Sequence, residues 1–153
     1  MSVLPTGTAA DLMQLLTQAE RLLSRRVAGI LREEGCSAEA WRVLHLLAEG
    51  GGHPMTEVAD RSFLPPGTLT KVVDQLVELG LVYRRIDPAD RRRIRAFLAP
   101  RGRQLHERIA ARIDASVTEL PLPGAEREHL AALLHTLSQA MTATADAAAP
   151  VAA

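Results

Sequence analysis

Apolar residues recur at every third or fourth position through most of the chain, and this spacing predicts amphipathic helices. The first stripe runs from Thr8 to Glu34 and ends at Gly35, a residue that commonly closes a helix. Ser37 is then placed to cap a second helix, whose apolar face begins at Trp41. The segment Gly50-Gly51-Gly52-His53-Pro54 interrupts the pattern and is read as a break between elements.

The periodicity changes in the middle of the chain. A short third helix is predicted over 56–62, and a fourth over 65–79, with proline in its first turn. The runs Leu81 to Ile86 and Ile94 to Leu98 alternate in polarity or are β-branched, and both predict strands. Because the segment 87–90 between them has turn composition, the two strands are expected to form a hairpin.

Two more helices are predicted after the hairpin. One begins at Pro100, and the second follows the breaking segment 121–124 and frays from Thr142 onward. The expected fold is mainly α with a small β-hairpin wing, a winged helix-turn-helix flanked by N- and C-terminal dimerisation helices. The expected division is a dimerisation helix over 1–36, a DNA-binding domain over 37–100, dimerisation helices over 101–145 and a flexible tail over 146–153.

Composition agrees with one domain of ordinary size. The chain has 153 residues, of which 47% are apolar and only 3% aromatic, so its core has to be aliphatic. Cys36 is the only cysteine, which excludes an intrachain disulfide. No run approaches the roughly 18 apolar residues that a membrane-spanning helix needs, and the N-terminus has no signal-peptide pattern. These features predict a cytoplasmic protein without a membrane partner.

The charge of the chain is unevenly distributed, although its formal net charge is zero. Eight arginines fall between Arg84 and Arg103, around the predicted hairpin. From Arg61 to Arg103 the basic residues outnumber the acidic ones by six, so the rest of the chain carries the opposite excess. Such an asymmetry directs one face toward a polyanion, which here points to nucleic acid.

The middle of the sequence resembles the multiple-antibiotic-resistance regulator (MarR) family of bacterial transcription factors. The likeness covers Ala38 to Gly102 and departs from the family pattern at Ala99 and at the corner Ser62-Phe63. It is densest in Pro66-Gly67-Thr68-Leu69-Thr70-Lys71 with Val73-Asp74-Gln75-Leu76, in Leu79-Gly80-Leu81-Val82 with Arg84, and in Asp90-Arg91-Arg92 with Leu98 and Gly102.

The resemblance implies binding to double-stranded DNA, with the 65–79 helix in the major groove and the 84–95 wing in the minor groove. Small residues in the first turn of that helix leave room for a close approach to bases and phosphates. Arginines on the wing suit the negative potential of a narrow minor groove. By resemblance, Asp90 is expected to orient the Arg92 guanidinium. The expected DNA-contacting residues are Pro66, Gly67, Thr68, Thr70, Lys71, Arg84, Asp90, Arg91, Arg92 and Arg93.

The resemblance also implies a small aromatic or anionic effector. Trp41, Arg42 and His45 are candidates for its site, because Trp41 and His45 are four residues apart on one helical face. The alternative is that Trp41 packs in the core and His45 is a structural residue. Cys36 offers a redox-sensing alternative.

A metal-responsive alternative would use Cys36 and His45 together with His106 and Glu107. These residues lack the close spacing of a metal site, so no metal and no cofactor are predicted.

The resulting hypothesis is a homodimeric DNA-binding regulator, a ligand-responsive repressor that reads a palindromic operator. The alternative from another class is a winged helix that docks a protein instead of DNA. No enzymatic activity is expected, since the chain has no Gly-rich phosphate loop, nucleophile elbow or paired metal ligands.

Overall fold

The structure, a computed structural model, describes residues 7–148. Its elements follow the predicted order, with one short strand added. The helices are α1 (Ala9–Glu33), α2 (Ala38–Leu47), α3 (Met55–Ser62), α4 (Pro66–Glu78), α5 (Pro100–Thr118) and α6 (Gly124–Ala148). The strands are β1 (His53–Pro54), β2 (Val82–Ile86) and β3 (Ile94–Leu98). The chain divides between Ile113 and Asp114 into two compact units.

The first two helices begin where the sequence predicts. Thr8 and Asp11 form a capping box at the start of α1, in which the Asp11 backbone N–H donates to the Thr8 hydroxyl at 3.2 Å. At α2, the Ala40 N–H donates to Ser37 Oγ at 3.0 Å. Gly35, between the two helices, has a φ of 64°, a left-handed conformation that glycine adopts without penalty.

The sheet has three antiparallel strands in the order β1-β3-β2, where the sequence predicted a two-stranded hairpin. The additional strand lies in the segment 50–54 that was read only as a break. There His53 pairs with Ala96 and Pro54 with Arg95. This pairing joins distant parts of the chain, so local periodicity carries no sign of it. Pro54 is tolerated because it lies on an edge strand.

The core of the first unit is aliphatic, as the composition predicts. It collects buried side chains from α1 to α5 and from the sheet, the largest of them Leu44, Leu47, Leu69, Ile109, Val43, Val58, Val73 and Val82. Trp41 is only partly buried and packs against this cluster from its edge. The winged helix-turn-helix therefore has a continuous core that holds α4 and the hairpin in fixed positions.

The second unit contains the end of α5 and the whole of α6. Helix α6 continues to Ala148, past Thr142 where fraying was expected, because its alanine-rich end has the highest intrinsic helix propensity. The first three residues of the predicted tail are thus helical, and 149–153 lie outside the described residues, as do 1–6 of the predicted N-terminal segment. Across residues 7–148, none of the helices combines the length and apolarity needed to cross a membrane.

Candidate nucleic-acid interface

The corner between α3 and α4 has an unusual backbone. Phe63 closes α3 in the left-handed region, with φ 54° and ψ 40°, at a position where glycine would be unstrained. Its side chain is 86% exposed. Next to it, Ser62 is buried and its hydroxyl donates to the Val58 carbonyl, so the polar side chain is satisfied inside α3. The departure of Ser62-Phe63 from the family pattern is accommodated without distorting the buried face of α4.

Helix α4 presents a small, unblocked N-terminal turn. Its buried face is Leu69, Val72, Val73 and Leu76, and Pro66 occupies the first helical position. No side chain caps this end, and its first turn carries no acidic residue. The backbone N–H groups there remain available to a phosphate, which the helix dipole also favours. The predicted contact residues Pro66, Gly67, Thr68, Thr70 and Lys71 are all exposed on the opposite face.

Thr68 and Thr70 differ in what their hydroxyls are free to do. The Thr70 hydroxyl donates to the Pro66 carbonyl oxygen of its own helix at 3.0 Å. Its single hydrogen is therefore used, and phosphate oxygens accept only. Among the described residues, no hydrogen-bond partner is seen for the Thr68 hydroxyl. The structure separates two threonines that the sequence treated as equivalent.

The wing is fixed at its base by Asp87 and Arg95. Asp87 is buried and accepts from the Ala89 N–H at 2.9 Å, and Arg95 Nη1 lies 3.3 Å from Asp87 Oδ2. Arg95 also donates to the Gly52 carbonyl at 2.8 Å, which joins the hairpin to the loop before β1. The Ala89 N–H, and after it the Arg95 guanidinium, hold the pKa of Asp87 below its usual value.

Asp90 contacts Arg92 differently from the expectation. Its Oδ1 accepts the Arg92 backbone N–H at 3.0 Å, while its Oδ2 lies 3.7 Å from Nε of Arg93. Asp90 thus shapes the turn through the backbone of Arg92 and pairs with the guanidinium of Arg93 instead. The predicted Asp90–Arg92 side-chain pair is wrong because the turn places the backbone N–H two residues on, within reach of the carboxylate. Within residues 7–148, Arg91 and Arg92 are exposed and form no ion pair.

Arg84 occupies a different part of the wing from the tip arginines. Its guanidinium binds the carboxylate of Asp74 on α4, and so connects β2 to the recognition helix. The contact gives Arg84 a role in positioning the wing, whereas the sequence suggested a DNA contact. On the same sheet, Tyr83 stacks on Phe97 at 5.2 Å between ring centroids, and the Arg85 guanidinium lies 5.2 Å from the Tyr83 ring centroid.

A cluster of three rings lies away from the wing, between α2 and α5. Trp41 and His45 share a face as predicted, with ring centroids 5.3 Å apart. The third ring is His106, which stacks on Trp41 at 5.1 Å and 11° and places Nε2 3.0 Å from Nδ1 of His45. Arg42 is exposed. Because 61 positions separate His45 from His106, only the fold brings the two histidines together.

The redox and metal alternatives find little support in the geometry. Cys36 is buried, and this burial, followed by the charge of Glu34, raises the pKa of its thiol to about 11. It borders a cavity of about 140 Å³ that is also lined by Val72 and Leu105. No group of three or more potential metal ligands is found among residues 7–148. Cys36 therefore does not join His45, His106 and Glu107 in one metal site.

Comparison with known proteins places these features among bacterial regulators. The sequence model described as the MarR family matches residues 34–93. The chain is 30% identical to the HTH-type transcriptional regulator FarR of Neisseria gonorrhoeae, across 65% of this chain and 68% of that protein. It is 29% identical to the HTH-type transcriptional regulator MhqR of Bacillus subtilis, across 75% of this chain and 82% of that one.

Solved structures with a similar fold include proteins bound to small molecules and to DNA. NadR in complex with 4-hydroxyphenylacetate has a TM-score of 0.76 and 25% identity, covering 91% of this chain and 96% of NadR. CouR from Rhodococcus jostii RHA1 bound to p-coumaroyl-CoA has a TM-score of 0.72 and 28% identity, covering 83% and 91%. The repressor CouR bound to a 23-mer DNA duplex has a TM-score of 0.71 and 26% identity, covering 90% and 99%.

Proposed function

Since the chain belongs to the MarR family of transcriptional regulators, we propose that it acts as a homodimer on a palindromic operator and that a small ligand releases it from DNA. Two recognition helices related by a two-fold axis would then read half-sites about one helical turn apart. The observation that supports this most directly is the pairing of a small, uncapped α4 N-terminus with an arginine-rich wing on one core.

The charges of this surface suit two kinds of DNA contact. Lys71 and the N–H groups of the first α4 turn would meet phosphates beside the major groove. Arg91 and Arg92 at the exposed wing tip would enter the adjacent minor groove. The ion pairs Arg84–Asp74 and Arg95–Asp87 would hold the wing at a fixed distance from the helix. The structure thus separates arginines that position the wing from arginines that are available for DNA.

Exposed apolar side chains on the flanking helices support a homodimer. In α1 the exposed leucines are Leu12, Leu15, Leu22 and Leu23, each between 45% and 53% accessible. In α6, Leu130 is 49% and Leu133 is 56% accessible. Long apolar stripes on isolated helices are costly in water and are covered in dimers by the same stripes of a second copy.

The Trp41 cluster supports an effector that is small and aromatic or anionic. An indole ring and two imidazoles combine a stacking surface with hydrogen-bonding nitrogens. Proteins of similar structure are bound to 4-hydroxyphenylacetate and to p-coumaroyl-CoA, which are both aromatic and anionic. We place the effector of this chain beside Trp41 and His45, with exposed Arg42 on the same helix.

The test is fluorescence anisotropy with the DNA immediately upstream of the protein's own gene, beside a scrambled duplex of the same composition. Specific binding by the wild type is expected to weaken steeply with salt. Arg92→Ala is expected to weaken it and to lower the slope of log K against log salt by about one. Arg25→Ala, an exposed arginine of α1, is the matched control and should leave both unchanged.

Equal, weak binding to both duplexes would contradict operator recognition. Absence of binding at every salt concentration would contradict the DNA-binding role altogether and would favour the protein-docking alternative.

A further inference from the structure

The contact between His45 and His106 fixes how many hydrogens the pair holds. Nδ1 of His45 and Nε2 of His106 lie 3.0 Å apart, which is hydrogen-bond distance. One of these two nitrogens must donate an N–H and the other must offer a lone pair. The free pair thus keeps one hydrogen between two facing nitrogens, and it is closed to a second acceptor.

A carboxylate would change this count, because its oxygens accept hydrogen bonds and donate none. To be held by both nitrogens, it requires an N–H on each of them. A proton taken up from water supplies the missing N–H and also cancels the negative charge that the ligand brings. A shift of one imidazole to its other tautomer would supply the N–H too, but would leave the anion unneutralised and its hydrogen bonds without charge assistance.

We infer that the effector of this protein is an aromatic carboxylate held between His45 and His106, and that its binding takes up one proton. The inference rests on the proposed effector site and specifies its ligand class and its regulation. On binding, the N–H···N bond between the imidazoles opens, and two N–H···O bonds to the carboxylate replace it. The aromatic part of the ligand lies against the edge of the Trp41–His106 stack, which is only partly buried.

The charged groups around His106 agree with a free pair that carries no second proton at neutral pH. Burial first, and then His45 from α2, lower the pKa of His106; Arg103 also lowers it, and Glu107 from α5 raises it. His106 is therefore neutral above the usual histidine range near pH 6.5. Binding that requires an added proton must become weaker as the pH rises through and above that range.

The other charged groups near the pair are engaged elsewhere or face solvent. On α2, Arg42 lies one turn before His45 and is exposed. At the end of α1, Glu34 accepts from Arg108 Nε at 2.8 Å and from Arg112 Nη1 at 3.0 Å, and Glu33 pairs with Arg112. These carboxylates are already neutralised by α5, which leaves the two imidazoles as the groups whose protonation responds to a ligand.

Trp41 provides the measurement, because it is the only tryptophan in the chain and stacks directly on His106. Its emission is titrated with 4-hydroxyphenylacetate at a series of pH values from about 6 to 8, and calorimetry supplies an independent Kd. With the wild type, Kd is expected to rise about tenfold per pH unit at the upper end of the range, the dependence that one coupled proton gives. The neutral ligand 4-hydroxyphenylacetamide should show no such dependence.

His106→Gln separates proton uptake from simple binding. The glutamine amide nitrogen lies close to the place of Nε2 and donates at every pH, so this variant should bind the carboxylate with a Kd independent of pH. His129→Gln, on α6, is the matched control and should keep the wild-type pH dependence. Wild-type binding that is equally tight at all pH values would overturn the proton coupling.

Failure of 4-hydroxyphenylacetate and of benzoate to bind at any pH would overturn the carboxylate site. Operator binding, measured by anisotropy on the same protein, then shows whether the proposed regulator stands without it.

Discussion

Arg95 and Asp87 form an ion pair across the base of the wing, with 3.3 Å between Nη1 and Oδ2. Arg95 has the same guanidinium on the carbonyl of Gly52, so a single side chain connects the hairpin turn, β3 and the loop before β1. The wing is thus attached to the body of the domain by a polar contact at its base, and its tip arginines are carried on that attachment.

Asp87→Asn is expected to loosen this attachment and to lower operator affinity several-fold while the protein stays folded. The asparagine keeps an oxygen for the Ala89 N–H but loses the charge that holds Arg95. Anisotropy gives the affinity and circular dichroism the folded state, with Asp146→Asn on α6 as the control. Unchanged affinity would show that the wing does not depend on the ion pair.

The lowered pKa of Asp87 also gives a sign for the effect of acid. Its carboxylate stabilises the folded protein above the unfolded pKa, and this contribution is lost as the pH falls through the lower, folded pKa. Below about pH 4 the melting temperature of the wild type should therefore fall faster than that of Asp87→Asn. Parallel curves for the two proteins would contradict this contribution.

Thr68→Val is expected to weaken operator binding more than Thr70→Val. Valine has the shape of threonine without its hydroxyl, and only the Thr68 hydroxyl has a hydrogen to donate to phosphate, since Thr70 donates to Pro66. Loss of one such bond costs about 1 kcal/mol, which corresponds to about a fivefold rise in Kd. An equal or larger loss for Thr70→Val would place the hydroxyl of Thr70 on DNA.

The sequence predicted those features that depend on neighbours along the chain. The start of α1 at Thr8 and its end before Gly35 follow from local capping and backbone preferences, and the same holds for the cap at Ser37. The segment 65–79 was recognised as one helix because proline, spacing and a closing Gly80 agree.

The missing features depend on contacts between distant residues. Strand β1 exists because His53 meets Ala96, and His106 joins the ring cluster because α5 returns beside α2. No periodicity encodes either contact. The partner of Asp90 was wrong for a different reason, since a tight turn offers its carboxylate a backbone N–H before any guanidinium. Resemblance identified the residue correctly and its contact incorrectly.

Gly102→Ala is expected to destabilise the fold, in contrast to Gly29→Ala. A Cβ at Gly102 would overlap the carbonyl oxygen of Leu81 and lie 2.7 Å from Cδ1 of Leu98, so α5 would have to move away from the sheet. Overpacking of this kind costs about 1–3 kcal/mol. Gly29 lies inside α1 with open space around it, and alanine there should add up to about 1 kcal/mol.

Urea unfolding of the two glycine variants measures both effects on the same scale. A Gly102→Ala protein as stable as the wild type would mean that α5 can shift on the sheet at little cost. Such a result would also remove the physical reason for glycine at this position of the wing signature.

Leu133→Arg is expected to convert the proposed dimer to monomer. Leu133 is 56% exposed on α6, and an arginine would bring an unpaired charge into the interface that this stripe is proposed to form. Light scattering after size exclusion gives the mass. His135→Arg is the control, because it lies about 200° around the helix from Leu133 and is also exposed. A dimeric Leu133→Arg protein would contradict the participation of α6.

Cys36 is expected to react slowly with thiol reagents in the folded protein. With a pKa near 11, only about one thiol in ten thousand is ionised at pH 7, and the thiolate is the reactive form. Because the chain has no other cysteine, labelling with 5,5′-dithiobis(2-nitrobenzoate) reports on this site alone. The native protein should label slowly and the urea-unfolded protein rapidly, to one thiol per chain.

The rate should rise about tenfold per pH unit below that pKa, since the thiolate fraction does so. Peroxide should leave operator binding of the wild type and of Cys36→Ala equally unaffected. Rapid labelling of the native protein at neutral pH, together with loss of DNA binding after peroxide in the wild type only, would restore redox sensing. The buried position of the thiol against Val72 of α4 would then connect its oxidation directly to the recognition helix.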